Sequence, residues 1–362
     1  MRLGVEAALV AGRLVGGDVE VEDGRIARVG VGVNGRGTGI AVPGFVDLHV
    51  HGFGGVDFAA ADAAAYRRAG EAMLGTGVTA LQPTFVTAPE EELVASLREV
   101  PCDDVGPRIL GVHLEGPFLS PQRMGMHPES ARREPSADLL RRLVDAGPVV
   151  HMTLAPELEG ALDVVDLLRA AGVVAACGHT DATADQARAA FERGATHVTH
   201  LFNAMRPFTH RDPGIAGAAL VRDDVTVELI LDGHHVSDEA ALIAWRAAQG
   251  RVALVTDGMA ATGAGDGTWQ MGPVPVDVRD GVVRTLDGVL AGSVLTMPDA
   301  IRNAIRLGIS FEEAVDAATR VPAQAARRTD VGRIDPGAPA DVVVLDGDVE
   351  ITRVLVGGVE RG

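Results

Sequence analysis

The chain has 362 residues, 47% of them hydrophobic and 23% charged, with a formal net charge of −18. That length suits one large barrel plus a smaller domain, and the composition excludes a disordered or fibrous chain. The acidic balance and an aromatic content of 3% exclude a nucleic-acid partner, because binding to a phosphate backbone needs a basic face.

No apolar run approaches the ~18 residues that a membrane span needs. The N-terminal stretch is interrupted by Glu6 and Arg13 and makes a poor signal peptide. The expectation is a cytoplasmic protein with no membrane partner. Cys102 and Cys177 are far apart in sequence, so no disulfide framework is expected, and Cys177 reads as a small buried apolar residue. There is no lysine; all 32 basic residues are arginine. Schiff-base lysine chemistry, a P-loop lysine and a carbamoylated-lysine bridge between two metals are therefore excluded. Any bridge must be a carboxylate.

In chain order, residues 1 to about 43 read as short strands joined by turns, with a DG turn in DVEVEDGRIARVG. Between 44 and 330, apolar runs alternate with Ala-, Leu- and Arg-rich segments of helical period. Eight strands are predicted there, at 44–51, 78–85, 108–115, 149–155, 173–179, 197–202, 225–231 and 251–257. Eight strands each followed by helical sequence predict an α/β fold, a (β/α)₈ TIM-like barrel. Residues 259–297 are Gly-rich with hairpin-like pieces, and read as a lid or binding loop at the barrel mouth. From 331 to 362 the strand-and-turn pattern returns. Segments 1–43 and 331–362 are expected to pair into one small discontinuous β-sandwich domain beside the barrel at 44–330.

Imidazoles and carboxylates stand at the ends of these strands, where a barrel gathers its chemistry. His49 and His51 are two apart on the first strand and point to one face. Glu115 ends the third strand, with His113 one layer deeper as a packing residue or a partner to a ligand. His179 and His200 end the fifth and sixth strands, and His197 lies at the opposite end of the sixth in a structural role. Asp257 ends the eighth, where it can bind metal and take a proton from an attacking water. Several His with Glu and Asp is the ligand set of a hydrolytic Zn, Fe or Mn site. The reading is a metal-dependent amide hydrolase. His127, Asn203 and Arg211 are polar loop residues, and at most one of His234 and His235 faces substrate.

The stretches PGFVDLHVHG, GVHLEGPF with MGMHP, CGHTDAT, THLFNAM with RDPGIAG, LDGHHV, LVTDG and LAGSVLTM carry a family resemblance. From about residue 41 onward the chain resembles the N-acetylglucosamine-6-phosphate deacetylases of the amidohydrolase superfamily. The resemblance implies hydrolysis of N-acetyl-D-glucosamine 6-phosphate to glucosamine 6-phosphate and acetate, with Asp257 as the catalytic aspartate. It implies a main metal site of Glu115, His179 and His200. It also implies a second position at His49 and His51, as in those members that carry this pair, with Glu115 bridging. One or two divalent ions (Zn, Fe, Mn or Co) would be held. His127 and His235 match sugar- and phosphate-contacting histidines, and Asn203 and the Ala204 backbone match phosphate contacts. Arg211 matches an arginine that reaches the phosphate in the neighbouring subunit, which implies a homodimer. MGMHPES departs from the more usual His-Asn-Pro version at His127. The competing expectations are an amidohydrolase acting on a nucleobase or cyclic amide, and a silent scaffold that keeps only the fold.

Overall fold

The computed structural model describes residues 1–32, 37–103 and 105–361. Eight parallel strands form the centre of the molecule: β1 Phe45–Val50, β2 Val78–Val86, β3 Val112–Glu115, β4 Val149–Leu154, β5 Val174–Cys177, β6 His197–Val198, β7 Thr226–Leu229 and β8 Val252–Leu254. Each pairs in parallel with the next. The ring closes between β8 and β1, where Asp257 N–H donates to the His49 carbonyl at 2.8 Å and His51 N–H donates to the Gly258 carbonyl at 2.7 Å. Below that seam the Thr256 hydroxyl donates to the buried Asp47 carboxylate at 2.6 Å.

A helix follows each strand, from Ala63–Leu74 after β1 to Met297–Arg306 after β8. The sequence starts and stops these helices by local chemistry. Ser136 and Ser237 accept a backbone N–H at two helix starts, and Thr183 with Gln186 forms a reciprocal capping box at a third. Leu139, Leu140 and Leu143 put one helix's apolar stripe against the barrel. The fold is the (β/α)₈ barrel that the alternation of strand-like and helical segments predicts.

Strands from both chain ends build one six-stranded sheet, in the order Arg13–Gly16, Ala7–Val10, Ile40–Pro43, Val342–Leu345, Ile351–Val356 and Val359–Glu360. A hairpin of Asp18–Glu22 and Arg25–Val31 shares a separate core with this sheet, made by Val5, Val19, Val21, Ile26, Val342 and Leu355 among others. The Gly-rich segment after β8 holds a three-stranded antiparallel sheet, Gly267–Met271, Val274–Arg279 and Val282–Thr285. Its apolar face packs on Val86, Met126 and Met259 at the barrel mouth.

Cys102 is exposed, Cys177 is buried, and both thiols are free. Among the described residues, no helix is long and apolar enough to cross a membrane.

Several strands are shorter than their apolar runs. The run at 108–115 breaks into Arg108–Ile109 and β3, because Gly111 adopts φ +114°. A side chain there would collide with Val150, so the interruption needs glycine. The run at 197–202 keeps only two residues as strand. Beyond Val198 the chain turns sharply, with positive φ at His200, Phe202 and Ala204.

Candidate metal and substrate site

The strand ends deliver six side chains to one point. His49 lies in β1 and His51 just after it, Glu115 ends β3, and His179, His200 and Asp257 follow β5, β6 and β8. All six are buried. The ends of β5 and β6 approach closely because Gly178 has no side chain; a Cβ there would stand 2.8 Å from Thr153 and 2.9 Å from Thr199.

Glu115 is the hub. Its Oε1 lies 2.9 Å from the Nε2 of both His179 and His200, and these two nitrogens are 3.2 Å apart. Its Oε2 lies 3.6 Å from the Nε2 of both His49 and His51, which are also 3.2 Å apart. Asp257 Oδ1 is 3.0 Å from His51 Nε2 and 3.5 Å from His49 Nε2. Donor atoms of two trios, His49–His51–Glu115 and Glu115–His179–His200, each lie within 4.8 Å of one another.

These contacts fit a cation. His51 Nδ1 lies 3.1 Å from the Thr84 carbonyl and His179 Nδ1 lies 2.8 Å from the Arg123 carbonyl. A carbonyl only accepts, so each Nδ1 carries the proton and each Nε2 presents a lone pair to the cluster. Lone pairs facing one another near 3.2 Å repel unless a cation or a proton lies between them. The electrostatics agree. Burial pushes the His49 imidazolium pKa down, but Glu115, Asp257 and Glu228 outweigh it and raise it well above the ordinary value. Burial likewise pushes Asp257 up, yet His49 and His51 hold its carboxyl down to about 2. The centre therefore stabilises positive charge in an interior with buried carboxylates.

The cleft above this cluster is lined by His127, Asn203, Ala204 and His235, with Met271 and residues 289–292 from the segment after β8 on the opposite wall. Thr87 N–H donates to His127 Nδ1 at 3.1 Å, so a neutral His127 carries its proton on Nε2, 3.3 Å from Glu115 Oε2. Burial lowers the His127 pKa to about 4, which keeps the ring neutral. His235 Nδ1 is paired with Asp232 at 2.7 Å, while His234 is exposed. Asn203 spends its amide N–H groups on the carbonyls of His200 and Leu201. Arg211 is exposed and does not line this chain's own cleft.

Deeper in the barrel, His113 is hydrogen-bonded to Thr153 at 2.7 Å and stacks on His151 at 4.1 Å. Burial holds His113 and His197 neutral, the latter at about 4. Glu228, Thr84 and Asp47 were not singled out by the sequence reading. For Glu228 and Asp47 the sequence shows only a lone acid inside an apolar strand, in VELIL and FVDLHV, and the partners that give it meaning lie far along the chain.

The family model for the amidohydrolase family matches residues 40–361. The chain belongs to the amidohydrolase family. Its relatives include the N-acetylglucosamine-6-phosphate deacetylase of Vibrio furnissii, 37% identical over 88% of this chain and 82% of the relative. The N-acetylgalactosamine-6-phosphate deacetylase of Escherichia coli O157:H7 is 36% identical over 94% of this chain and 93% of the relative. Among solved structures, a mutant N-acetyl-D-glucosamine-6-phosphate deacetylase of Mycobacterium smegmatis, in complex with N-acetyl-D-glucosamine 6-phosphate, superposes with TM-score 0.94. It is 39% identical, with 98% of this chain and 97% of that chain covered. The Thermotoga maritima N-acetylglucosamine-6-phosphate deacetylase also superposes with TM-score 0.94, at 33% identity over 100% and 99% of the two chains.

Proposed function

We propose that this amidohydrolase removes the acetyl group from N-acetyl-D-glucosamine 6-phosphate, giving glucosamine 6-phosphate and acetate. The observation that carries the reading is the buried Glu115 carboxylate, with His179 and His200 at one oxygen and His49, His51 and His127 at the other, below a cleft lined by His127, Asn203, Ala204 and His235. The relatives whose names state this activity support it.

Glu115, His179 and His200 would hold one divalent ion. His49 and His51 would hold a second, with Glu115 shared and Asp257 completing the cluster. Zinc, iron, manganese and cobalt all suit this donor set. When bound, such an ion supplies a Lewis acid and brings the pKa of water toward ~7.

The chain's own residues do the rest. Asp257, ionised at any working pH, takes the proton of the attacking water. It then passes that proton to the departing nitrogen, because a neutral amine leaves far more readily than an amide anion. His127 presents an Nε2–H donor that suits an acetyl or sugar oxygen. Asn203, on turning an amide N–H from a backbone carbonyl to the substrate, binds the phosphate end with the Ala204 backbone and His235, and Arg211 completes that pocket in the partner subunit of a homodimer. Residues 44–330 carry the chemistry, and 1–43 with 331–362 form the supporting β-domain. A cytoplasmic site of action suits a phosphorylated sugar, whose charge keeps it from crossing a membrane.

A second reading, the galactosamine epimer as substrate, is favoured by the 36% identity to the Escherichia coli relative. Turnover measured on the 6-phosphates of N-acetylglucosamine and N-acetylgalactosamine, beside a nucleobase and a cyclic amide, decides among these. Turnover of neither sugar phosphate would overturn the proposal.

A further inference from the structure

We propose that Glu228 is a positioning residue that locks one ligand from each metal trio. It stands in β7, in the run VELIL, and is fully buried. A buried carboxylate is costly unless it is paired. Its Oε2 lies 3.3 Å from His49 Nδ1 and accepts the His200 backbone N–H, also at 3.3 Å. Its own carbonyl accepts the Leu201 N–H at 2.8 Å.

The first contact sets the tautomer of His49. With the proton held on Nδ1 by the carboxylate, the Nε2 lone pair points at His51, Glu115 and Asp257. His51 and His179 are each steadied by a neutral carbonyl, whereas His49 alone among the four imidazoles is steadied by a charge. A charged acceptor raises the basicity of the ring and adds to the field that attracts a cation. The second contact acts on the backbone. His200 sits at φ +32°, and its Nδ1 has no hydrogen-bond partner. Its direction is therefore set by the turn itself, which Glu228 ties to β7 through two successive N–H groups.

This assignment rests on the two-ion reading, and the test separates the two. In metal-free protein, at a pH high enough to leave the His49 ring neutral, ¹⁵N NMR of the imidazole rings reads the His49 tautomer. A chelator-competition titration reads how many ions bind and how tightly. The wild type shows the Nδ1–H form and two ions per chain. Glu228→Gln keeps an acceptor without the charge; it retains the tautomer but binds one ion about tenfold more weakly. Glu228→Leu loses the tautomer preference and the His200 N–H contact and binds both ions more weakly, the one at His49 about a hundredfold, the range typical of lost outer hydrogen-bond partners. Unchanged affinities in Glu228→Gln would overturn the role of the charge, and this variant decides the case if Glu228→Leu does not fold. An unchanged tautomer in folded Glu228→Leu would overturn the positioning role. One ion per wild-type chain would instead sink the two-ion reading, while the ring spectrum still judges Glu228.

Discussion

His179, His200 and Asp257 occupy left-handed backbone, at φ +46°, +32° and +50°. Such conformations cost on the order of 1–3 kcal/mol each in a non-glycine residue and persist where the surroundings over-determine them. Here they turn each side chain from the strand end toward Glu115. Asp257 can then be tested apart from the fold. Asp257→Asn keeps the shape of the side chain and its place beside His51 but cannot accept a proton. We expect metal content and substrate binding to stay near wild type while kcat falls by about a hundred- to ten-thousandfold. Near-normal turnover would refute the role. The six clustered residues were legible because strand parity and strand ends are properties of sequence. Glu228 and Asp47 were not, because one acid in an apolar strand gains meaning only from partners far along the chain: His49 for Glu228, Thr256 for Asp47.

At the scale of elements, the alternation of apolar runs and helical segments carried the barrel, and the strand ends were its weakest part. The run at 197–202 is apolar enough to extend, yet the ladder stops at Val198 because the turn delivering His200 wins over β propensity. The candidate ligands come from the ends of β1, β3, β5, β6 and β8; an ion held by Glu115, His179 and His200 would cross-link β3, β5 and β6, and one held by His49, His51 and Asp257 would tie β1 and β8 to β3 through Glu115. Stripping metal with a chelator should abolish activity and lower the melting temperature by several degrees, since an ion at a hundred times its Kd adds about 2.7 kcal/mol. Re-adding a divalent ion should restore both; full activity in metal-free protein would refute the metal reading. The sheet spanning 267–285 makes a second prediction. Gly272 N–H donates to Asp57 Oδ2 at 2.6 Å, tying this sheet to the loop after β1 beside Met271 in the cleft wall. Asp57→Ala frees that tether, a loss of about 1.5–3 kcal/mol for a hydrogen bond to a charge. KM should rise several-fold with kcat and metal content little changed, measured by steady-state kinetics beside metal analysis. An unchanged KM would mean that the sheet does not close on substrate.

At the scale of the whole molecule, a chain of net charge −18 must bind a doubly charged phosphate against its own field. Local cations have to overcome that repulsion, and Arg211 does not line its own cleft. In the proposed homodimer a neighbouring subunit would supply it, which would turn a liability of charge into a reason to dimerise. Arg211→Ala should cost about 1.5–3 kcal/mol of phosphate binding, or roughly ten- to hundredfold in kcat/KM. Unphosphorylated N-acetylglucosamine should be turned over equally well by both forms. Mixing then tests whether the arginine crosses the interface. Each parent is weak: Arg211→Ala lacks the phosphate contact, and Asp257→Asn lacks the proton acceptor. When unfolded and refolded together in equal amounts, half of the dimers are mixed, and in each of these one site of two combines an intact Asp257 with a borrowed Arg211. About a quarter of all sites should recover wild-type kinetics under twofold assembly. If Arg211 acted within its own chain, no mixed dimer would contain a complete site, and the mixture would show only the average of its weak parents.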